Sequence, residues 1–224
     1  MLRKLIPAVA ALAVVAAGGW WFSGNGGSGG GMTAISRADA QETASEVDFS
    51  RVPDMALGDE NAPVTLIEYA SFTCPHCASF HATVLPELRA NYIDTGKVRY
   101  VHREVYFDRY GLWAAMVARC GGEMRYFGLA DRIYSTQRDW TASNDPSVVA
   151  ENLRRIGRSA GMNDAQLDAC LQDGDMAQAM VAVYQTNADA DDVRATPTLI
   201  INGEKHGNMS YADLSQLLDG LLDD

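Results

Sequence analysis

The chain has 224 residues, of which 29 are acidic and 18 are lysine or arginine, so its formal net charge is −11. This charge argues against nucleic acid or an anionic lipid surface as a partner, because both would repel the protein. Four cysteines are too few for a disulfide-based scaffold, so burial of a core must supply most of the stability of a chain whose length suits one domain.

The first 22 residues have the pattern of an export sequence. The basic residues Arg3 and Lys4 precede an apolar run over 5–22. This order predicts export, and with it an oxidising compartment. The run of 18 residues is about the minimum that spans a bilayer, and Trp20 and Trp21 suit a membrane interface. We therefore favour an uncleaved N-terminal membrane anchor, with a cleaved signal sequence as the alternative.

A flexible linker is predicted over residues 23–47. Glycine, serine and other small or polar residues dominate this stretch, without the period of a helix or a strand. Such a composition stays flexible because it offers little apolar surface to bury. The folded domain is therefore predicted at residues 48–224.

The first long strand and helix of this domain meet at a Cys-Pro-His-Cys sequence. Residues 64–70 form an apolar, β-rich run, and apolar residues three or four apart over 78–92 predict a helix. Cys74 therefore lies at the start of a helix. At that position unpaired backbone N–H groups and the helix dipole stabilise a thiolate and lower the cysteine pKa.

The other residues of the motif are predicted to support this thiolate. Pro75 suits the first helical turn, where its missing N–H has no partner to lose. Cys77 lies one turn further on, is close enough to form a disulfide with Cys74, and is expected to be more buried. A charged imidazole at His76 would favour the Cys74 thiolate by attraction. Cys74 and Cys77 are thus interpreted as a catalytic, redox-active disulfide that needs no other cofactor.

Two other interpretations of the Cys74–Cys77 pair were weighed. A structural zinc site needs a second pair of ligands at short spacing, and neither the four histidines nor Cys120 and Cys170 supply one. No metal site is therefore predicted. A purely structural disulfide over so short a span would constrain almost no chain.

A helical insertion is predicted after the second long strand. Residues 98–106 are predicted as a strand parallel to the first, because strand, helix and strand in this order form a right-handed crossover. Residues from about 108 to 192 then carry helical periodicity. The predicted helices of this insertion are 112–120, 126–134, 146–156, 164–171 and 176–184. The third is predicted to end before Gly157.

Cys120 and Cys170 both fall at the ends of predicted helices in the insertion. In an oxidising compartment the default for such a pair is a structural disulfide, and two free thiols are the alternative. Closing a loop of about 50 residues would add about 4 kcal/mol of stability in the chain-entropy model.

The chain is predicted to return to the sheet over residues 193–201, where Thr196-Pro197 precedes an apolar strand. Asn202-Gly203 predicts a hairpin turn to a last strand over 204–209. Ser210 is predicted to cap a final helix over 211–222, whose leucines cover the sheet.

From about Ala56 to the C-terminus, the sequence resembles the DsbA-like branch of periplasmic thiol:disulfide oxidoreductases, in the thioredoxin-fold superfamily. The resemblance is carried by the lead-in at 57–64, by the Cys-Pro-His-Cys core, and by Thr196-Pro197 about 120 residues later. It implies an α/β thioredoxin fold with a helical insertion before the cis-proline strand.

The resemblance also implies roles for three further residues. An acid at the place of Glu68 lies beneath the dithiol in this family and takes up or relays the proton of the second cysteine. The alternative is a carboxylate on the polar side of the strand. Thr196-Pro197 matches the family's cis-proline, which faces the dithiol and leaves the Thr196 backbone free to bind an extended substrate peptide.

The predicted function is that of a periplasmic thiol:disulfide oxidoreductase that introduces disulfides into exported proteins. Its partners would be unfolded or reduced exported proteins and, as the resemblance implies, a quinone-linked membrane oxidase that recharges it. It is expected to be a monomer that binds no nucleic acid and is tethered to the inner membrane if the N-terminal segment is retained. The alternatives are a disulfide isomerase or reductase, and a periplasmic copper- or zinc-binding thiol protein.

Overall fold

A computed structural model describes residues 47–223 of the chain. The predicted anchor or signal sequence at 1–22, and the predicted linker up to residue 46, lie outside the described residues. The strands are β1 (Met55–Leu57), β2 (Val64–Ala70), β3 (Val98–Glu104), β4 (Thr198–Ile201) and β5 (Glu204–Gly207). The helices are α1 (Pro75–Thr83), α2 (Leu85–Leu88), α3 (Arg109–Cys120), α4 (Glu123–Ser135), α5 (Gln137–Trp140), α6 (Pro146–Ser159), α7 (Asp164–Leu171), α8 (Gly174–Ala190) and α9 (Tyr211–Asp223).

The five strands form one sheet in the order β1-β3-β2-β4-β5. β2 and β3 run parallel, as the strand, helix and strand order predicts, and β1, β4 and β5 each pair antiparallel with their neighbours. β2 is paired on both sides, which suits its apolar and β-branched sequence. The carboxyl end of this central strand leads directly into the loop that carries Cys74.

The helical insertion lies between β3 and β4, as predicted, and its helices share one core with the sheet. Leu66 and Tyr100 from the sheet belong to the same buried cluster as Ile133 and Leu153 from the insertion. The hairpin turn at Asn202-Gly203 is confirmed, with both residues at positive φ (48° and 88°). Within residues 47–223, no helix has both the length and the apolar character needed to cross a bilayer.

The predicted single helix over 78–92 is wrong, because the segment is divided into α1, α2 and a π-helical turn over Arg89–Ile93. The break between α1 and α2 falls at Val84, two residues before Pro86. Proline has no N–H for the carbonyl four residues earlier, and its ring crowds the preceding turn.

The predicted end of a helix before Gly157 is also wrong, because α6 continues to Ser159. A Cβ atom built on Gly157 would lie 2.4 Å from a methyl group of Leu167. Glycine at this position therefore permits α6 and α7 to approach closely, and it is not a helix terminator.

Candidate active site

The cysteines of the Cys-Pro-His-Cys sequence stand at the start of α1. Cys74 is the N-cap, with an extended backbone (φ −84°, ψ 119°), and Pro75 occupies the first helical turn. Cys74 is half-buried and Cys77 is fully buried. Both are free thiols, so the structure describes the reduced pair.

Hydrogen bonds to the sulfur make Cys74 acidic. The largest contribution is a hydrogen bond from the Cys77 thiol, and the backbone N–H groups of Cys77 and His76 add to it. Together they outweigh burial and lower the pKa of Cys74 to about 5. The same hydrogen bond, burial and the negative charge of Glu68 raise the pKa of Cys77 far above its usual range. One sulfur is therefore an anion at neutral pH while the other keeps its proton.

The backbone N–H of His76 helps to lower the pKa of Cys74. The His76 side chain is exposed, as is that of Pro75. The predicted attraction between a charged His76 imidazole and the Cys74 thiolate stays a prediction.

Thr196 and Pro197 face the dithiol from the start of β4. The Thr196–Pro197 peptide bond is cis. The Cys74 Sγ lies 3.5 Å from the Thr196 carbonyl oxygen. The Thr196 carbonyl, which forms the cis peptide bond to Pro197, thus lies beside the Cys74 sulfur.

Glu68 is fully buried in β2, and its charge acts on Cys77. Tyr100 donates a hydrogen bond to its Oε2, and His81 Nε2 lies 3.2 Å from the same oxygen. Burial is the largest single effect on Glu68 and opposes its ionisation, but the charge and hydrogen bond of His81, the charge of His102 and the Tyr100 hydrogen bond together outweigh it and lower the pKa of the carboxyl. Burial likewise opposes protonation of His81, yet the Glu68 and Asp131 carboxylates together raise its pKa to about 9. The two form a buried ion pair.

His102 lies beside this pair, and the three side chains bring donor atoms to within 4.8 Å of one another. Such a set could in principle bind a metal. However, Tyr126 and Tyr134 hydroxyls occupy both ring nitrogens of His102, at 2.7 and 3.1 Å. Neither nitrogen of His102 is therefore free for a metal, and we assign no metal site here.

The insertion holds the active-site loop through two side chains. The Gln137 side chain, buried in α5, donates hydrogen bonds from Nε2 to the carbonyl oxygens of Phe72 (2.8 Å) and Cys74 (2.9 Å). Thr73 donates to the Asp108 carboxylate at 2.8 Å, and Asp108 also caps α3. The backbone on either side of Cys74 is thus tied to the insertion.

The second pair of cysteines lies within the insertion. Cys120, the last residue of α3, forms a disulfide with Cys170 near the end of α7, across a sequence separation of 50. Both residues are half-buried. This disulfide crosslinks two helices of the insertion.

Sequence reasoning missed His81, His102, Tyr100 and Gln137 as parts of this site. His81 carried a usable signal, because it lies four residues after Cys77 and therefore on the same face of α1. Gln137 carried none, since its contact with the loop spans 63 residues or more.

The sequence matches a family model described as Thioredoxin over residues 50–220. A Rickettsia bellii protein named "Putative protein-disulfide oxidoreductase" is 34% identical over 172 residues, which cover 76% of this chain and 65% of that protein. Alpha-DsbA1 from Wolbachia pipientis is 29% identical with a TM-score of 0.70, covering 76% of this chain and 91% of that one.

BdbD from Bacillus subtilis, at 19% identity, shares the fold, with a TM-score of 0.68 over 80% of this chain and 97% of its own. The present chain spans between 61% and 65% of the length of the Rickettsia relatives that it matches. These similarities confirm the predicted α/β thioredoxin fold.

Proposed function

Because the chain belongs to the thioredoxin family and is DsbA-like in structure, we propose that it is a thiol:disulfide oxidoreductase that introduces disulfides into exported proteins. The observation that carries this proposal is the stabilised thiolate of Cys74 beside a protonated, buried Cys77. A pair whose reduced form is stabilised in this way gives up its disulfide readily, so it oxidises other thiols.

The proposed reaction begins with Cys74 and Cys77 joined as a disulfide. A substrate thiolate attacks the sulfur of Cys74, the bond to Cys77 breaks, and Cys77 leaves as a thiolate that takes up a proton. A second substrate thiolate then attacks the substrate sulfur of this mixed disulfide, and Cys74 leaves as a stable thiolate. Two electrons pass from the substrate to the enzyme, and the substrate gains one disulfide.

Substrate binding is assigned to Thr196 and Pro197. Their position next to the Cys74 sulfur supports this role, because an extended peptide laid along Thr196 would present its cysteine to Cys74. Glu68 is proposed to exchange the proton of Cys77, whose pKa its charge already raises.

The proposed setting is the periplasm, reached through the export sequence at residues 1–22. The substrates there would be reduced exported proteins, and a quinone-linked membrane oxidase would recharge Cys74 and Cys77. The protein would act as a monomer. Fractionation of cells that produce the full chain, with and without residues 1–22, tests the location.

The activity is tested by mixing oxidised protein with a reduced peptide that carries two cysteines. The peptide should gain its disulfide faster than in buffer alone, and Cys74→Ser should abolish the effect. The matched control, Cys120→Ser/Cys170→Ser, should retain it. An oxidation rate no faster than that of buffer would refute the proposal. Purified protein that retains nearly one copper per chain would instead favour the metal-binding alternative.

A further inference from the structure

Cys77 must gain a proton when substrate is oxidised and lose it when the enzyme is recharged, if the proposed function holds. Its sulfur is fully buried, so the proton cannot come directly from bulk water. A route through the protein is therefore needed. Buried polar atoms that lack hydrogen-bond partners mark where such a route can run.

Three such atoms belong to Glu68 and His81. Among the described residues, Glu68 Oε1 and both ring nitrogens of His81 are buried and lack an aligned hydrogen bond. Glu68 Oε2 lies 3.2 Å from His81 Nε2, but that N–H does not point along the line to the oxygen. Glu68 thus has one oxygen, Oε1, without a hydrogen-bond partner, and its charge acts on Cys77.

The other nitrogen of His81 lies near a solvent-exposed carboxylate. His81 Nδ1 lies 3.9 Å from Oδ1 of Asp131 on α4, whose side chain is 56% exposed. His81 and Asp131 both line an open cavity of about 500 Å³ between α1, α2 and α4. The imidazole therefore lies between a buried carboxylate and a solvent-accessible one.

We propose that His81 and Asp131 balance the proton that Cys77 exchanges with Glu68: when Glu68 gains this proton, His81 releases one of its own through Asp131 to the solvent in this cavity, and the reverse step returns it. This inference rests on the proposed function, since only an enzyme that opens and closes the Cys74–Cys77 bond needs the transfer. His81 touches neither substrate nor sulfur in this role, so it acts through Glu68.

The remaining ionisable groups around His81 are unsuited to this transfer. The Tyr134 ring stacks on His81 at 4.0 Å, and burial keeps its pKa well above 10, so its hydroxyl does not ionise. His102 packs edge-on at 5.4 Å with both nitrogens hydrogen-bonded to tyrosines, and Tyr100 donates to Glu68.

Two arginines, Arg89 and Arg132, also line the cavity. Arginine stays charged at all relevant pH values, so neither can accept or release the proton. Asp131 is therefore the side chain at the cavity that can receive it from His81.

The proton balance of recharging can be written through these groups. The Cys74 thiolate attacks a partner disulfide, one partner thiolate leaves, and a mixed disulfide forms. Cys77 then passes its proton to Glu68, and its thiolate attacks the Cys74 sulfur, which closes the enzyme disulfide and expels the second partner thiolate. Neutralised Glu68 no longer supports the buried imidazolium, so His81 releases its Nδ1 proton to Asp131 or to cavity water. Substrate oxidation runs the same transfer in reverse.

Recharging by oxidised glutathione allows formation of the mixed disulfide and closure of the enzyme disulfide to be measured separately. Reduced full-length protein is mixed with excess reagent, and quenched samples are analysed by mass for the mixed disulfide and the closed disulfide. In His81→Gln, we expect formation of the mixed disulfide to stay within about twofold of wild type and closure to slow by about tenfold or more, the low end of general acid–base effects. Asp131→Asn should slow closure less, because cavity water still accepts the proton. Asp139→Asn, an exposed acid that does not line this cavity, is the matched control.

Chemical rescue distinguishes proton transfer from a structural role. In His81→Ala, added imidazole should enter the cavity and speed closure, whereas it should leave wild type and Asp139→Asn unchanged. Closure at the wild-type rate in His81→Gln, or slow closure that imidazole does not accelerate, would overturn the inference. If the His81 variants fail to fold, the Asp131→Asn variant still tests the inference. A closure rate equal to that of wild type at every pH from 6 to 9 would also overturn it. Wild-type protein that forms neither disulfide would refute the proposed function itself.

Discussion

At the residue scale, Cys74 and Cys77 differ in acidity because a single hydrogen bond acts on them in opposite directions. The Cys77 thiol donates to the Cys74 sulfur, which stabilises the anion at Cys74 and holds the proton at Cys77. Backbone N–H groups at the start of α1 reinforce the first effect, and the Glu68 charge reinforces the second. In the proposed reaction, this asymmetry makes Cys74 the leaving group when the second substrate thiolate attacks the mixed disulfide.

Substitution of Cys77 should therefore change the titration of Cys74. Cys77→Ala removes the main hydrogen-bond donor, so the Cys74 pKa should rise from about 5 by at least about one unit. Cys77→Ser keeps a donor in place and should shift the pKa less. Thiolate absorbance near 240 nm, followed against pH in both variants, measures the difference. Equal pKa values in the two variants would show that the backbone N–H groups suffice.

The stability of the reduced protein should depend on pH through Cys74. The folded-state pKa of about 5 lies below that of an unfolded cysteine, about 8.5. Ionisation of Cys74 therefore stabilises the fold increasingly as pH rises between these values, and the effect is lost as pH falls through 5. Melting temperatures of reduced wild type and of reduced Cys74→Ser, compared from pH 5 to 8, should diverge in favour of wild type. Parallel curves would contradict the low pKa.

The residues of this site differ in how far the sequence reveals them. The acidity of Cys74 depends on local helix geometry, which a strand, a Cys-Pro pair and a helical period predict together. The partners of Glu68 depend on which faces of α1 and β3 meet, and single-sequence patterns do not fix that. His81 was therefore missed although it lies one turn after Cys77.

At the element scale, α5 fixes the loop before α1 through one side chain. Gln137 donates from its amide Nε2 to the buried carbonyl oxygen of Phe72 and to that of Cys74, which also accepts a hydrogen bond from the Ala78 N–H. Glutamate has the same shape but presents acceptors to these carbonyls. We expect Gln137→Leu to cost about 1–3 kcal/mol, the penalty of an unsatisfied buried group, and Gln137→Glu to cost at least as much. Urea denaturation measures both, and a cost below about 0.5 kcal/mol in Gln137→Glu would show that the loop does not need the clamp.

The disulfide between α3 and α7 should contribute to stability and not to the reaction. It closes a loop of 50 residues, for which chain entropy gives about 4 kcal/mol. Cys120→Ser/Cys170→Ser should therefore lower the melting temperature clearly while peptide oxidation continues. A loss of activity as large as that in Cys74→Ser would instead place this pair in the catalytic cycle.

Helix and strand identities follow from the sequence better than their ends do. The bounds of β2 and α7 are as predicted, because apolar spacing and the Asn163 cap mark them locally. Gly157 and Pro86 were misread because their effects depend on neighbours. Leu167 packs against Gly157 from another helix, and Pro86 interrupts a pattern whose apolar spacing continues unbroken.

At the scale of the whole molecule, the sheet and the insertion are joined by a buried ion pair as well as by a common core. Arg119 of α3 donates two hydrogen bonds to Glu104 of β3, at 2.8 and 2.6 Å, and a third to the carbonyl of Pro53. Unfolding of either the sheet or the insertion would leave the charged partner in the other part without its ion pair. The protein should therefore unfold as one unit.

Coincident unfolding curves would show this. Trp113 and Trp140 both lie in the insertion, so in a Trp20→Phe/Trp21→Phe background fluorescence reports on the insertion alone. Far-ultraviolet circular dichroism reports on all elements. The two urea midpoints should agree within error, and an earlier fluorescence transition would mean that the insertion melts independently.

The outermost strands of the sheet bear on how such a protein survives among unfolded clients. β1 has three residues, and β5 has four, which include the charged Glu204 and Lys205. Short, charged rims are poor templates for the growth of a sheet from one chain to the next. In the proposed function, these short, charged edges would protect the protein from aggregating with the unfolded chains on which it acts.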